Sequence, residues 1–376
     1  MKFPFSYDEA RQDFLQLSEA YKTMAPETQI GAMTVPSQID DNLTIDHTYI
    51  PAKSQKNSLL IISSGVHGIE SFAGSAIQQS LLENLLPRMD RSQIGVYLLH
   101  SLNPYGFKYR RRVTENNVDL NRNFVDFSQG KLAASSNYAK IDNLLNPQSP
   151  AVKSAFSDVM AFFQWLKVLL NTPVKQLRQT ILSGQHQYAK GVFFAGHRPE
   201  IHRQLLEGDL RTKIQGYENI IAIDLHTGYG RRGHQHLLCP GGLSKPSREA
   251  SQNLFSGHSI DRPDDKDFYQ VQGSFLSYLG QLCREKLFVP ITLEYGTADN
   301  HKLWGAIKSL QSTLLENQGF HYGYSSDRSK CRIEEAFLDL YNPSDSRWQN
   351  LVLNQAIDTL TTITHRLTRA PFIQKK

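Results

Sequence analysis

The sequence predicts an α/β fold: three α/β/α layers with a mixed, largely parallel central sheet. Two observations carry this. Four apolar runs have the length and β-branched content of buried strands: "LLIISSG" (59–65), "IGVYLLHS" (94–101), "NIIAIDLH" (219–226) and "LFVPITLEYG" (287–296). Between the first two lies "FAGSAIQQSLLENLL", a helical pattern, and strand–helix–strand alternation brings such strands parallel beneath covering helices.

The remaining elements follow in chain order. Ser6 with Glu9 three residues on forms a capping box, opening a helix that carries Phe14, Leu15 and Leu17 toward the core. Residues 33–50, "MTVPSQIDDNLTIDHTYI", alternate and turn like an antiparallel edge hairpin. The segment 131–190, centred on "SAFSDVMAFFQWLKVLL", reads as a helical insertion, its aromatic-rich part belonging to helix core rather than to a binding surface. Residues 300–376 read as a C-terminal helical extension. At 376 residues the chain exceeds the usual single-core size, and we read 1–376 as a single catalytic domain carrying these additions. There is no internal repeat and no low-complexity tract.

Composition excludes several function classes. A formal charge of +5, from 41 basic and 36 acidic residues interspersed along the chain, is too weak and diffuse for a nucleic-acid partner. The one dense basic run, Tyr109-Arg110-Arg111-Arg112, is short. Three cysteines, Cys239, Cys283 and Cys331, share no metal-type spacing and argue for a reducing compartment, so a zinc ion would not be held by thiolates. No stretch approaches the roughly 18 apolar residues of a membrane span, and "MKFPFSYDEARQDF" lacks the apolar segment of a secretory signal. A cytoplasmic protein without a membrane partner is expected.

Polar residues of chemical interest cluster after all four strands: His67 and Glu70, then Asn103, Arg112, Asp119, Asn121 and Arg122, then His226, then Glu294. Ligands of open α/β sheets bind outside the carboxyl ends of the strands, so the four point at one site. His67 and Glu70 are an N,O pair suited to a borderline cation, with Gly65 and Gly68 allowing a tight turn around it, and His226 in "DLHTGYG" is the candidate third ligand. An isolated H-x-x-E is common on helix surfaces; the motifs that follow it here give the pair its weight.

The segment "NPYGFKYRRRVTENNVDLNRNF" (103–124), together with "HGIE", "DLHTG" and "TLEYGT" in this order, resembles the zinc carboxypeptidase family and its succinylglutamate desuccinylase and aspartoacylase relatives, over roughly residues 58–298. The resemblance implies a zinc-carboxypeptidase-like fold and one zinc per chain on His67, Glu70 and His226. It implies Glu294 as catalytic base and Asn121 with Arg122 as the pair holding a substrate's terminal carboxylate. Asp119 matches the carboxylate bonded to a zinc-binding histidine, here His67, and Arg112 the arginine that polarises the scissile carbonyl, with Arg111 as alternative. Bound zinc would lower the pKa of a water toward 7 for Glu294 to deprotonate, and the fork of Arg122 matches a carboxylate bidentately. The His-His-Glu zinc set of carboxypeptidase A is a general reference example of such a site.

The expected activity is that of a zinc metallopeptidase of carboxypeptidase type, acting on a small peptide or N-acyl amino acid with a free carboxylate. The alternative is a zinc deacylase of N-acyl amino acids. A silent binding protein is disfavoured by the complete ligand set with Glu294, and serine and cysteine hydrolases by the lack of a G-x-S-x-G elbow and of a catalytic cysteine context. The mobile tyrosine of the classical enzymes has no clear counterpart; Tyr269 and Tyr278 precede Glu294 at plausible distances. "GYGRRG" (228–233) fits G-x-G-x-x-G but leads into "HQHLLCPGG" instead of a helix, so it reads as a loop, with His234 and His236 in a strand-like run beside it. Asp224, on the same strand face as His226, reads equally as its hydrogen-bond partner or as a satisfied buried carboxylate. "SGQHQYAKGVFFAG" (183–196) is expected to line the pocket.

Overall fold

The computed structural model describes residues 3–129, 136–261 and 272–369. Among these, eight strands form one sheet: β1 (Gln29–Thr34), β2 (Thr44–Ile50), β3 (Ser58–Ser64), β4 (Ile94–His100), β5 (Asn219–Gly228), β6 (Gln235–Leu238), β7 (Ile260–Asp261) and β8 (Leu287–Gly296), in the order β1-β2-β4-β3-β5-β8-β6-β7. The helices are α1 (Tyr7–Met24), α2 (Ser71–Ser80), α3 (Pro104–Lys108), α4 (Ser136–Ala139), α5 (Asp142–Leu145), α6 (Ala155–Asn171) and α7 (Val174–Leu182). They continue with α8 (Ile201–Ile214), α9 (Lys245–Leu254), α10 (Phe275–Leu282), α11 (Leu303–Tyr322), α12 (Asp327–Tyr341) and α13 (Ser346–Arg369).

The four strands expected from apolar runs are the central, mutually parallel block β4-β3-β5-β8. Strands buried on both faces read as continuous apolar runs, and the period-2 pleat divides them between two cores. Leu60, Ile62, Val96, Leu98, Ile221 and Ile223 pack on one face with residues of α2, α9 and α13. Leu59, Ile61, Tyr97, Leu99, Ile220 and Ala222 pack on the other with residues of α8 and α10. These are the three layers expected. The predicted edge hairpin is β1 and β2, which pair antiparallel, β2 continuing antiparallel onto β4. On the opposite side β6 lies antiparallel on β8, so the sheet is mixed.

Ser6 caps α1 by accepting from the Glu9 N–H (3.2 Å), while Glu9 reaches back to the amide of Phe5 instead of that of Ser6. Phe14 is buried, and Leu15 and Leu17 are partly buried against the core. The C-terminal helices form part of the outer layers: α13 buries Val352, Ala356, Leu360 and Ile363, and the Trp348 indole donates to Gly296 O at the end of β8 (2.8 Å).

Between 136 and 190 the described residues form α4 to α7 with non-helical stretches at 146–154 and 184–190, and this segment has its own apolar cluster of Tyr138, Leu145, Trp165, Leu177 and Ile181, joined by Leu314 of α11. One expectation about it is corrected. Trp165 of α6 is buried, but Phe156, Phe163 and Leu170 are 75%, 58% and 78% exposed. The helix is covered on one side only, and apolar periodicity all round it cannot say which face meets solvent.

Candidate metal centre and substrate cavity

The carboxyl ends of β3, β5 and β8 deliver the expected residues to one place. After β3 the chain turns through Gly65, whose φ of +69° is left-handed backbone. Gly68 then passes so near α3 that a Cβ there would lie 2.1 Å from the Gly106 carbonyl carbon. This close approach lets Gly68–Glu70 form a short 3-10 turn that brings Glu70 back beneath His67. The His67 Nδ1 lies 2.9 Å from Glu70 Oε1, and the His226 Nδ1, from β5, lies 2.9 Å from Glu70 Oε2. All three side chains are buried, with ligand atoms within 4.8 Å of one another.

Each imidazole is held from behind. The His67 Nε2 is 3.3 Å from Asp119 Oδ1, and the His226 Nε2 is 2.8 Å from Asp224 Oδ2. The Asp224 Oδ1 also accepts from the Ser63 hydroxyl (2.7 Å), so Asp224 both orients His226 and is satisfied. Carboxylates behind two rings whose Nδ1 atoms face a third carboxylate are what a divalent-cation site requires of its outer shell, since they fix ring tautomer and orientation. The donor set, two imidazoles and a carboxylate, fits a borderline cation. Burial would raise the Glu70 pKa, but His67 and His226 outweigh it and hold the carboxyl well below its usual range. For His226 burial works to lower the pKa, and Asp224 and Glu70 reverse it to well above the usual value. The carboxylates thus favour positive charge at the triad.

The run of three arginines resolves in space. Arg112 lines the cavity: its Nη1 donates to Glu70 Oε1 (3.2 Å), its Nε and Nη2 to Asp119 Oδ2 (both 3.3 Å), and Nη2 lies 2.6 Å from His67 Nε2. Arg111 points the other way, pairing with Glu316 (2.7 Å) and Asn117 (3.1 Å) and stacking on the Phe320 ring at 3.5 Å. Burial of Asp119 would raise its pKa, but Arg112, Arg122 and His67 hold it well below the usual range.

Glu294 ends β8 opposite His226 in register. Its Oε1 accepts from the Tyr229 N–H (2.9 Å), and burial pushes its pKa up to about 8, with His226 opposing and Glu70 adding to the shift. A positive charge at the triad acts in the opposite sense. Asn121 and Arg122 follow Asp119 on a 3-10 turn that Asp119 caps by accepting from Asn121 N–H (3.1 Å). The Asn121 Oδ1 accepts from Phe275 N–H (2.9 Å), and the Arg122 guanidinium donates to Leu182 O (2.9 Å) and Asn121 O (3.0 Å). Among the described residues the guanidinium's Nη2 makes no hydrogen bond to the protein, and both side chains line the cavity with His67, Glu70, His226 and Glu294.

That cavity measures about 680 Å³, within the range of small-molecule sites. The insertion and α11 wall much of it, and from the 183–196 run Phe193 lines it, its ring 5.7 Å from the Arg112 Cζ. Tyr341, at the end of α12, is a residue that sequence reasoning missed. It is buried, lines the cavity, and has Thr313 and Arg112 at its hydroxyl, while its carbonyl accepts from the Thr227 hydroxyl (2.7 Å). Nothing near Tyr341 in the sequence marks it; only the packing of α12 under the strand ends brings it there. Of the two tyrosines considered earlier, Tyr278 turns its hydroxyl to Glu207 (2.7 Å) and does not line the cavity, and Tyr269 lies outside the described residues. Asn103 stays structural, capping α3 by accepting from Gly106 N–H. His236 lies on β6 near Asp261 and outside the cavity, and the glycines of "GYGRRG" form a turn, with φ of +108° at Gly230 and +72° at Gly233.

No curated protein matches this chain. Among solved structures it is similar to bovine thrombin-activatable fibrinolysis inhibitor in complex with tick carboxypeptidase inhibitor (13% identity, 90% of this chain and 96% of that one, TM-score 0.46). It is similar to a putative metallopeptidase from Shewanella amazonensis (16%, 83% and 94%, TM-score 0.41) and to a succinylglutamate desuccinylase from Silicibacter (14%, 79% and 67%, TM-score 0.38). These names fall in the group that the motifs resemble, but likenesses this remote carry no argument about activity, which has to rest on the site itself. A model of the family described as "Protein of unknown function (DUF2817)" matches residues 3–355, nearly the whole chain, and the protein belongs to that family.

Proposed function

We propose that this protein is a zinc-dependent hydrolase that cleaves an amide bond next to a terminal carboxylate, in the manner of a metallocarboxypeptidase, with one zinc per chain and the whole chain acting as a single catalytic domain in the cytoplasm. The observation that carries the reading is the convergence of the His67, Glu70 and His226 donor atoms, the Glu294 carboxyl and the Asn121–Arg122 pair on one cavity. Deacylation of N-acyl amino acids uses the same parts and is the second reading, favoured by a cavity of about 680 Å³, the size of a small-molecule site. Among the described residues no helix is long and apolar enough to cross a membrane.

The triad would hold the zinc, which when bound acidifies a water and polarises a carbonyl. Arg122 and Asn121 bind the substrate carboxylate, which fixes the amide over the triad. Arg112 donates to the carbonyl oxygen as negative charge gathers there. Glu294 takes a proton from the attacking water and returns it to the leaving amine nitrogen. Asp119 and Asp224 keep the two imidazoles in place throughout.

The test compares a blocked dipeptide or N-acyl amino acid with its C-terminal amide. Arg122→Ala should weaken kcat/KM for the acid by about 2–5 kcal/mol, the range for losing one side of a buried charged pair, and far less for the amide. Equal losses on both would assign Arg122 to structure. Elemental analysis should find one zinc per chain in the parent and almost none in His67→Ala or His226→Ala; a metal-free parent with full activity would overturn the reading.

A further inference from the structure

The two ends of the cavity are built differently. Beside Asn121 and Arg122 the wall includes Gln272, Ser274 and Ser277, with the Phe275 amide bonded to Asn121. Along α11 the wall mixes polar residues, His301, Lys302 and Ser309, with a continuous apolar line. Phe193 stands next to the Arg112 guanidinium, and α11 presents Leu303, Ile307 and Leu310 to the cavity, followed by Thr313 at the Tyr341 hydroxyl. These positions recur at i, i+4 and i+7, one face of a helix. Trp165 of α6 lies against the same face, its indole donating to Gln311 (3.4 Å). Leu303 is 52% exposed, whereas Leu310 belongs to the fringe of the insertion's apolar cluster, so the face is a track from solvent inward to Arg112. From Leu303 to Thr313 it runs about 15 Å at the helical rise.

We infer that the acyl side of the substrate is a bulky apolar group, a medium-length fatty acyl chain or an aromatic residue, lying along α11 while the carboxylate occupies Arg122 and Asn121. The inference rests on the amide-hydrolase reading and names its substrate class. Water adds to the carbonyl carbon, the C–N bond breaks, and the products are an apolar carboxylic acid and an amine carrying the returned proton. A small polar acyl group would leave the apolar track filled with water, whereas a long one removes both apolar surfaces from it.

The experiment measures kcat/KM of the zinc-loaded full chain on N-acetyl, N-octanoyl and N-dodecanoyl derivatives of one amino acid, and on N-blocked glycyl and phenylalanyl derivatives of the same amino acid. The apolar member of at least one series should exceed its small member by about tenfold or more. The series that rises tells a fatty acyl group from a peptide residue. Ile307→Ser and the half-exposed Leu303→Ser should each reduce that ratio while retaining zinc. Turnover with no preference in either series, or a preference unchanged in both variants, overturns this inference alone. Absence of turnover on every substrate by zinc-loaded protein overturns the hydrolase reading, and this inference with it.

Discussion

Asp224 offers a graded test of the metal centre that needs no substrate. It pairs opposite Ser63 in the β3–β5 register, is 1% exposed, and spends one oxygen on the Ser63 hydroxyl and the other on His226 Nε2. Replacing it by Asn removes the charge. The amide can still accept from the imidazole, but only by turning its NH2 toward Ser63. Ala removes the acceptor altogether and leaves His226 free to rotate. Partners of ligating histidines are worth about 10–100-fold in metal affinity, or about 1.4–2.8 kcal/mol. Asp224→Asn should therefore lie near the lower figure and Asp224→Ala near the upper. The assay is competition with a chromophoric chelator at neutral pH, with thermal unfolding of the metal-free proteins to confirm that each variant folds. Parent-like affinity in a folded Asp224→Ala would refute the argument: Asp224 would then be a satisfied buried carboxylate with no hold on the ligand.

Glu294→Gln should keep its zinc and lose about 100-fold or more in kcat, the scale of a positioned acid–base group; near-normal turnover would place the base elsewhere. Arg111→Ala breaks the buried Glu316 pair and the Phe320 stack, and should lower the unfolding temperature with little change in turnover per folded molecule, whereas Arg112→Ala, which takes a partner from buried Glu70 and Asp119 beside the triad, should lower turnover per folded molecule as well as stability. His202 is buried with neither ring nitrogen partnered among the described residues, and burial lowers its pKa to about 4. Its folded pKa lies below the unfolded value near 6.5, so the unfolded state binds the extra proton and stability, full above about pH 6.5, is lost as pH falls toward 4, by about 3 kcal/mol. His202→Leu should flatten the fall in unfolding temperature between pH 7 and pH 4.5, and an unchanged slope would count against the assignment.

The four central strands were readable because a parallel strand buried on both faces leaves an uninterrupted β-branched run. The residues just past their ends were readable as a site because such ends converge. What could not be read depends on contacts between distant segments. Arg111 and Arg112 are chemically identical neighbours, and only the location of Glu316 and Phe320 on α11 separates the structural one from the cavity one. That Asp224 also accepts from Ser63 depends on strand register, which a sequence does not state. Tyr341 follows the last motif by more than forty residues. The apolar run of α6 reads as helix core, but the covering layer stops at one face, a matter of how many elements surround it rather than of its own pattern.

The segment that closes the insertion grips the loop carrying Asp119 and Arg122. Leu182 O accepts from Arg122 (2.9 Å), Phe194 O from the Asp119 amide (2.7 Å) and Ala195 O from the Asn123 side chain (2.8 Å), while a Cβ at Gly184 would press to 3.1 Å from the Arg122 stem. Residues 182–196 therefore act as a bracket for the clamp, and the bracket is itself held by the helices before it: the Val192 N–H donates to Asn146 Oδ1 (2.9 Å) and its carbonyl accepts from the Tyr138 hydroxyl (2.9 Å). A change in those helices thus reaches the substrate clamp through Val192, so the aim of the guanidinium depends on residues that never touch it.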